Sequence, residues 1–168
     1  LGYATVGGVK VGVSAMRSTH GRELLSAQAF YDLDTGKVTS AKTFVKAMSR
    51  VEFSFNWFYA DDKDIAYFSS GRLPVRAPGT DPALPTIGSG QFEWQGFLRA
   101  SEHPQAIDPP SGVLLNWNNK PAADVGAADS NLSYGSIQRV DLFTSKIAKL
   151  RKHTLESVVS AMNESATQ

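Results

Sequence analysis

The sequence predicts an α+β fold, and three patterns support this prediction. Apolar and polar residues alternate from Val51 to Tyr59, as they do in a half-buried strand. Two segments near the C-terminus instead repeat their apolar residues every three or four positions, as helices do. The 168 residues are 42% hydrophobic, so the chain is long and apolar enough for one domain with a core.

Four segments are predicted to be strands from their apolar alternation or short apolar runs: 9–16, 51–60, 65–70 and 113–118. The acidic run 61–64 separates the second strand from the third and is typical of a hairpin turn. The last strand places Leu114, Asn116 and Asn118 on one face, because successive side chains of a strand point to opposite sides.

Helices are expected to flank these strands. Residues 22–30 are weakly helical, and Ser40 is suited to cap an amphipathic helix that runs to Arg50. Two helices close the chain, the first over about 136–152 and the second capped by Thr154.

A long irregular loop is predicted between the hairpin and the last strand. Residues 71–112 contain seven of the eight prolines and six of the fourteen glycines. An irregular stretch of this length inside a compact domain is usually functional or packed against something else. Its aromatic residues, Phe92, Trp94 and Phe97, argue against a solvated linker.

Composition excludes several classes of site and partner. The absence of cysteine excludes disulfides, thiolate metal sites and cysteine nucleophiles. The net charge of +1 gives no argument for nucleic acid as a partner. No apolar run approaches the roughly 20 residues of a membrane helix. Because the chain begins with Leu1 rather than methionine, we expect it to start inside a longer polypeptide.

The usual catalytic motifs are missing from the sequence. There is no Gly-x-Ser-x-Gly elbow, and the three histidines, expected at the surface, form no metal-binding pair: His20, His103 and His153. The aspartates at 61–64 lack the glycine and the closing glutamate of a calcium-binding EF-hand loop. The sequence therefore supplies no convincing nucleophile.

Asn116 and Asn118 are the unusual feature of the strand predicted at 113–118. A side-chain amide donates an N–H to an oxyanion without adding charge, which suits acyl transfer. The alternative is that both are buried asparagines satisfied by backbone groups, the usual state of polar residues inside a protein. Spacing alone leaves both interpretations open.

A series of short motifs runs in a fixed order through residues 57–139. Among them are Trp57-Phe58-Tyr59-Ala60-Asp61, Gly71-Arg72-Leu73-Pro74, Asp81-Pro82-Ala83-Leu84-Pro85, Trp94-Gln95-Gly96, Pro109-Pro110-Ser111-Gly112, Asn116-Trp117-Asn118-Asn119-Lys120-Pro121, Ala128-Asp129 and Arg139-Val140-Asp141. In order and spacing they resemble the penicillin acylase family, and residues 1–56 resemble it more loosely.

The resemblance implies an N-terminal-nucleophile (Ntn) hydrolase with a four-layer αββα sandwich of antiparallel strands. Such enzymes are made as a precursor that cleaves itself into α and β chains. The first residue of the β chain, usually serine, then attacks an amide and uses its own amino group as the base. A terminal amine titrates near ~8, so it accepts a proton at neutral pH without a histidine.

The resemblance also assigns roles to five residues of this sequence. Asn118 matches the family's oxyanion asparagine, and Arg139 matches an arginine that orients the active site. Phe55 falls near a position that lines the acyl pocket. The Pro82 carbonyl and the Asp129 carboxylate match two ligands of a structural calcium ion, a cation that prefers oxygen ligands. No organic cofactor is implied.

By this resemblance, residues 1–168 form a single interior segment of a β chain, and Leu1 is not the nucleophile. Such a segment is expected to be inactive alone, with the remainder of the parent α and β chains and a small acyl amide as partners. Unpaired sheet edges favour a strand-mediated dimer. The parent would be periplasmic or secreted, and its acyl group stays open. The alternative is a non-catalytic module that binds an acyl group or a partner chain on the same scaffold.

Overall fold

The computed structural model describes residues 2–82, 84–122, 125 and 138–167. Antiparallel sheets and helices make up this part of the chain, which confirms the predicted α+β class. In chain order its strands and α-helices are β1 (Gly2–Val6), β2 (Val9–Val13), α1 (Ala27–Asp34), α2 (Ala41–Met48), β3 (Asn56–Ala60), β4 (Ile65–Ser69), β5 (Gln105–Ile107), α3 (Gln138–Ile147) and α4 (Leu155–Ala166).

The first two strands form an antiparallel hairpin. Val6 pairs with Val9 across a two-residue turn, Gly7-Gly8, in which both glycines have positive φ angles. The sequence prediction found β2, although that strand ends at Val13 rather than 16, and it missed β1. Nearly every residue of the hairpin is exposed to solvent.

The main sheet has the strand order β3-β4-β5, with both pairs antiparallel. The predicted hairpin of β3 and β4 is confirmed, but residues 51–55 are not part of the strand, which begins at Asn56. These residues bond instead to the chain just after β4, where the Gly71 N–H donates to the Val51 carbonyl. The third strand, β5, lies in the stretch predicted to be entirely irregular.

The core lies between α2 and the main sheet. Phe44 and Met48 of α2 are buried against Ala66 and Phe68 of β4. Ser40 caps α2 as predicted: its side chain accepts from the Thr43 backbone N–H, and the Thr43 hydroxyl accepts from the Ser40 backbone N–H. The capping box therefore begins the helix that supplies half of the core.

His103 is buried, so the expectation that all three histidines lie at the surface is wrong. Its ring stacks on Phe68 with a centroid distance of 5.4 Å, and its Nδ1 lies 2.9 Å from the Ser69 carbonyl oxygen. A 3₁₀ turn, Ala100–Glu102, brings this residue back against the sheet. Such long-range packing leaves no local signal in the sequence.

The two C-terminal helices pack against each other, and Lys146 of α3 forms an ion pair of 2.8 Å with Glu164 of α4. Thr154 caps α4, as predicted, and α3 ends at Ile147, five residues earlier than expected. The start predicted for α3, at 136, lies outside the described residues. In the part of the chain that the structure describes, no helix is long and apolar enough to cross a membrane.

Candidate active site

The segment predicted as a strand at 113–118 is a set of asparagine turns. The Asn116 side-chain oxygen accepts the backbone N–H of Asn118 at 2.9 Å, and the Asn119 side-chain oxygen accepts that of Trp117 at 2.9 Å. Asparagine side chains compete for backbone donors in this way, and the backbone then leaves the extended form. The prediction that Asn116 and Asn118 share a strand face is therefore wrong.

Asn118 occupies a left-handed conformation with a φ of 57°. Asparagine is among the few residues other than glycine that adopt this conformation readily. Its side chain is exposed, and its amide has no hydrogen-bond partner among the described residues. Among the described residues, no group accepts a hydrogen bond from this exposed amide.

Behind the turn, a chain of side chains leads back to the main sheet. The Tyr67 hydroxyl donates to the Asn56 side-chain oxygen at 2.6 Å, and the Asn56 amide donates to the Asn116 side-chain oxygen at 3.4 Å. The Asn116 amide donates onward to the Asn119 side-chain oxygen at 3.1 Å. Of the two interpretations that the sequence left open, Asn116 fits the satisfied polar residue, whereas the Asn118 side chain has no partner among the described residues.

Arg139 lies in the first turn of α3 with its side chain exposed. Its guanidinium carbon is 5.7 Å from the centre of the Trp117 ring, within the range of a cation–π contact. Trp117 directly precedes Asn118 in the turn. The structure therefore brings the two predicted catalytic residues to the same turn.

Phe55 belongs to a cluster of four aromatic rings that sequence reasoning saw only in part. Its ring centre is 5.5 Å from that of Trp57 and 5.9 Å from that of Phe53. Phe30 of α1 completes the cluster, 5.8 Å from Trp57. Phe55 stays 60% exposed, so the cluster offers an open apolar face. The alternation at 51–59 pointed to Phe53, whereas only long-range packing identifies Phe30.

The aromatic cluster and the asparagine turn meet at the N-terminal end of β3. Asn56, the first residue of this strand, contacts the turn, and the next residue, Trp57, contacts the cluster. Because successive side chains alternate, the two features lie on opposite faces of one strand end. This strand end therefore contacts both the apolar cluster and the turn that carries the Asn118 amide.

The hydroxyl of Ser157 lies close to a histidine ring, but it is used by a helix cap. Ser157 Oγ is 3.4 Å from His153 Nδ1 at the start of α4. The same oxygen accepts the Thr154 backbone N–H at 2.9 Å and donates to the Thr154 carbonyl at 3.0 Å. The contact is therefore part of the capping box rather than a nucleophile with its base.

Of the two predicted calcium ligands, Pro82 lies within the described residues. Pro82 is exposed in a turn, and Asp129 lies outside the described residues. Across the described ranges, no three acidic or histidine side chains come together as a metal site. A carbonyl and a carboxylate suit calcium chemically, but the described donors do not complete a calcium cage.

The charged turn at 61–64 lies at the opposite end of the hairpin from the asparagine turn. The Tyr59 hydroxyl donates to Asp61 at 2.6 Å, and this hydrogen bond to a carboxylate raises the pKa of Tyr59 to about 12. The same bond, together with the backbone N–H groups of Asp64 and Lys63, lowers the pKa of Asp61. These hydrogen bonds of Asp61 fix the conformation of the turn.

Comparison with known proteins gives a consistent result. The sequence profile of the penicillin amidase family matches residues 4–168. Penicillin G acylase from Escherichia coli is 33% identical over 114 residues, which are 67% of this chain and 13% of that protein. An acyl-homoserine lactone acylase QuiP, from Pseudomonas syringae pv. tomato, is 27% identical over 143 residues, 84% of this chain and 17% of that protein.

Among solved structures, a thermostable penicillin G acylase from Alcaligenes faecalis matches with a TM-score of 0.77 and 30% identity. The match covers 89% of this chain and 27% of that one. The chain thus spans less than a third of each of these relatives.

Proposed function

The chain belongs to the penicillin amidase family, and on this basis we propose that it is an interior segment of the β chain of an Ntn amidohydrolase that cleaves acyl amides. The observation that carries the proposal is the exposed side-chain amide of Asn118, which has no hydrogen-bond partner among the described residues. It is held in a left-handed turn that contacts the same strand end as the open aromatic cluster. The relatives named above are acylases, which supports the reaction class.

In this proposal, Asn118 stabilises the transition state. Attack on an amide carbonyl moves negative charge onto its oxygen, and the side-chain N–H of Asn118 donates a hydrogen bond to that oxygen. Such a donor is typically worth ~3–4 kcal/mol in acyl transfer when it is fixed before reaction. The hydrogen bonds that hold the backbone N–H groups of Trp117 and Asn118 support this role, because they fix the turn without using the side-chain amide of Asn118.

Arg139 and the aromatic cluster supply orientation and binding. The Arg139 guanidinium, next to the Trp117 ring, would hold the turn and the reacting groups in register. The faces of Phe53 and Phe55 that reach solvent would form one wall of the acyl pocket. Fully burying an apolar ring against such a wall contributes about 1.5–3 kcal/mol.

The nucleophile belongs to the first residue of the parent β chain, which self-cleavage of the precursor exposes. Its amino group would take the proton of its own hydroxyl, so the described residues need supply no base. The remainder of the α and β chains would be the partners of this segment. Without them, the segment would bind its substrate poorly and turn over none.

Three further proposals concern the environment of the segment. The Pro82 carbonyl and the Asp129 carboxylate would hold a structural calcium ion in the parent, which metal analysis of the purified enzyme tests. The parent would be periplasmic or secreted, which cell fractionation tests. In isolation, the exposed β1–β2 hairpin would pair with a second copy, which a size measurement of the chain tests.

The central experiment measures hydrolysis of a chromogenic phenylacetyl amide by the complete enzyme and by Asn118→Gly. Glycine accepts the left-handed backbone and removes only the donor, so kcat should fall by about 10²–10³-fold. Gln91→Ala, which removes an exposed amide from the irregular, proline-rich loop at 71–112, serves as the matched control and should leave kcat unchanged.

Two results would contradict the proposal. Unchanged turnover in Asn118→Gly would exclude the oxyanion role. Strong turnover by the isolated chain would show that its own residues include a nucleophile. Assay of the complete enzyme with a panel of phenylacetyl, aminoadipyl and fatty-acyl amides would identify the preferred acyl group.

The exposed faces of Phe53 and Phe55 also suit the alternative, a non-catalytic acyl-binding or partner-binding module. The residue at the start of the parent β chain decides between the two: serine, threonine or cysteine supports the enzyme. Tight binding of phenylacetate by the complete protein, without amide hydrolysis, would support the module.

A further inference from the structure

We propose that Tyr67 and Asn56 are positioning residues that hold the Asn118 donor in place for catalysis. This inference rests on the proposed oxyanion role of Asn118. It goes beyond that role because it assigns a function to the polar side chains behind the turn, which touch neither the substrate nor the nucleophile.

The directions of the hydrogen bonds determine how the asparagine amides are oriented. The Tyr67 hydroxyl, 2.6 Å from the Asn56 side-chain oxygen, donates to it. The Asn56 amide nitrogen then faces Asn116 and donates to its side-chain oxygen at 3.4 Å. That same oxygen accepts the Asn118 backbone N–H at 2.9 Å. The Asn118 backbone N–H can only donate, so it sets the direction of these bonds, and the phenol stabilises the amide orientation that they require.

The second half of the network fixes the neighbouring peptide. The Asn116 amide donates to the Asn119 side-chain oxygen at 3.1 Å, and this oxygen accepts the Trp117 backbone N–H at 2.9 Å. Two successive backbone N–H groups are thus held by side chains, which sets the φ of 57° at Asn118. The direction of the Asn118 side chain follows from that backbone.

The anchor of the network is the most constrained part of the sheet. Tyr67 lies on β4, the middle strand, and its ring packs on Phe58 with a centroid distance of 5.3 Å. Asn56 pairs with Ser69, so its backbone is fixed by the same ladder. A loop donor gains precision when it is tied to a rigid strand, and a displacement of about 1 Å costs up to ~10²-fold in rate.

The test is a double-mutant cycle in the complete enzyme, with rates expressed per processed β chain. Tyr67→Phe keeps the ring and removes only the hydroxyl, so we expect about a tenfold lower kcat with KM within about twofold. Asn56→Asp puts an acceptor opposite the Asn116 oxygen and should lower kcat further. Tyr59→Phe, which removes a hydroxyl at the far end of the same hairpin, is the matched control.

The cycle separates positioning from general damage to the fold. In the Asn118→Gly background no donor remains to be positioned, so Tyr67→Phe should lower kcat no further. An equal loss in both backgrounds would overturn the inference, as would an unchanged kcat in Tyr67→Phe alone. Hydrogen exchange provides a second readout that does not depend on turnover: Tyr67→Phe should speed exchange of the Asn118 backbone N–H and leave that of Lys63 unchanged.

Failure of the underlying function would look different. If Asn118→Gly alone leaves kcat unchanged, the oxyanion role fails and the positioning role fails with it. If Asn118→Gly lowers kcat while Tyr67→Phe is neutral or additive, only the positioning role is lost.

Discussion

Replacement of Ser70 by alanine tests what holds the aromatic cluster together. Ser70 is 1% exposed, and its hydroxyl accepts the Trp57 indole N–H at 2.8 Å while donating to the Phe53 carbonyl at 2.7 Å. One atom thus connects the strand that carries Trp57 to the irregular segment that carries Phe53. No other side-chain acceptor for this indole is found among the described residues.

The expected loss follows from the two groups that the substitution leaves behind. A buried donor or acceptor that loses its partner costs about 1–3 kcal/mol, and here one of each is affected. Because both groups are only partly buried, we expect Ser70→Ala to lower the free energy of unfolding by about 2–4 kcal/mol, the lower half of the range obtained by adding the two costs. The removed oxygen leaves little empty volume, so a cavity adds little.

Urea unfolding followed by tryptophan fluorescence measures this loss. Ser89→Ala, at an exposed position of the proline-rich loop, is the control and should stay within about 0.5 kcal/mol of the parent. The double variant Trp57→Phe with Ser70→Ala should lose less than the sum of its parts, because the stranded N–H is gone. A loss below about 0.5 kcal/mol in Ser70→Ala, or strict additivity in the double variant, would refute the reasoning.

Three shorter predictions concern the turns and a cap. Asn118→Ala should unfold about 1 kcal/mol more readily than Asn118→Gly, because only the alanine is strained at a φ of 57°; equal urea midpoints would contradict this. Asp61→Asn should lower the pKa of Tyr59 from about 12 in an ultraviolet titration, and Asp62→Asn should lower it less, because the Asp62 carboxylate contributes least to the raised pKa. The raised pKa of Tyr59 means that its hydrogen bond stabilises the fold below the unfolded pKa near ~10, and this stabilisation disappears as the pH rises toward 12. The lowered pKa of Asp61 means that its ionised form stabilises the fold above ~4, and this stabilisation disappears in acid. Asp61→Asn should therefore reduce the dependence of stability on pH at both extremes. Ser40→Ala should cost about 1 kcal/mol in the same urea assay, because it removes the acceptor for the Thr43 N–H, and a neutral result would deny the capping box a role.

The sequence predicted those elements whose information is local. The hairpin of β3 and β4 follows from alternation on either side of an acidic turn, and α2 from a capping serine followed by an apolar stripe. The strand β1 also had a local signal that went unused, because Gly7-Gly8 between Val6 and Val9 is typical of a two-residue hairpin.

The errors arose where partners distant in sequence decide the structure. Residues 51–55 alternate like a strand, but they bond to residues 70–72 instead of continuing the ladder. The three-residue β5 is defined by its pairing with β4, and no pattern within its own sequence marks it. Asn116, Asn118 and Asn119 are a local signal for turns that alternation concealed.

The candidate site likewise contains residues that the sequence predicted and residues that only long-range contacts identify. Asn118 and Arg139 were predicted through the family motifs, and the structure adds Trp117 as the residue between them. Asn56 and Tyr67 were missed because their roles depend on a contact across 60 residues of sequence.

The alternation of Asn56 and Trp57 at one strand end has a consequence for engineering the protein. A one-residue slip of β3 against β4 would exchange the two faces, directing an aromatic ring at the asparagine turn and an amide into the rings. The length of the turn at 61–64 sets this register, and Asp61 fixes the turn by accepting the backbone N–H groups of Lys63 and Asp64. Peptide tags or reporter loops therefore belong in the exposed stretch 88–91, and the length of the turn at 61–64 should be kept.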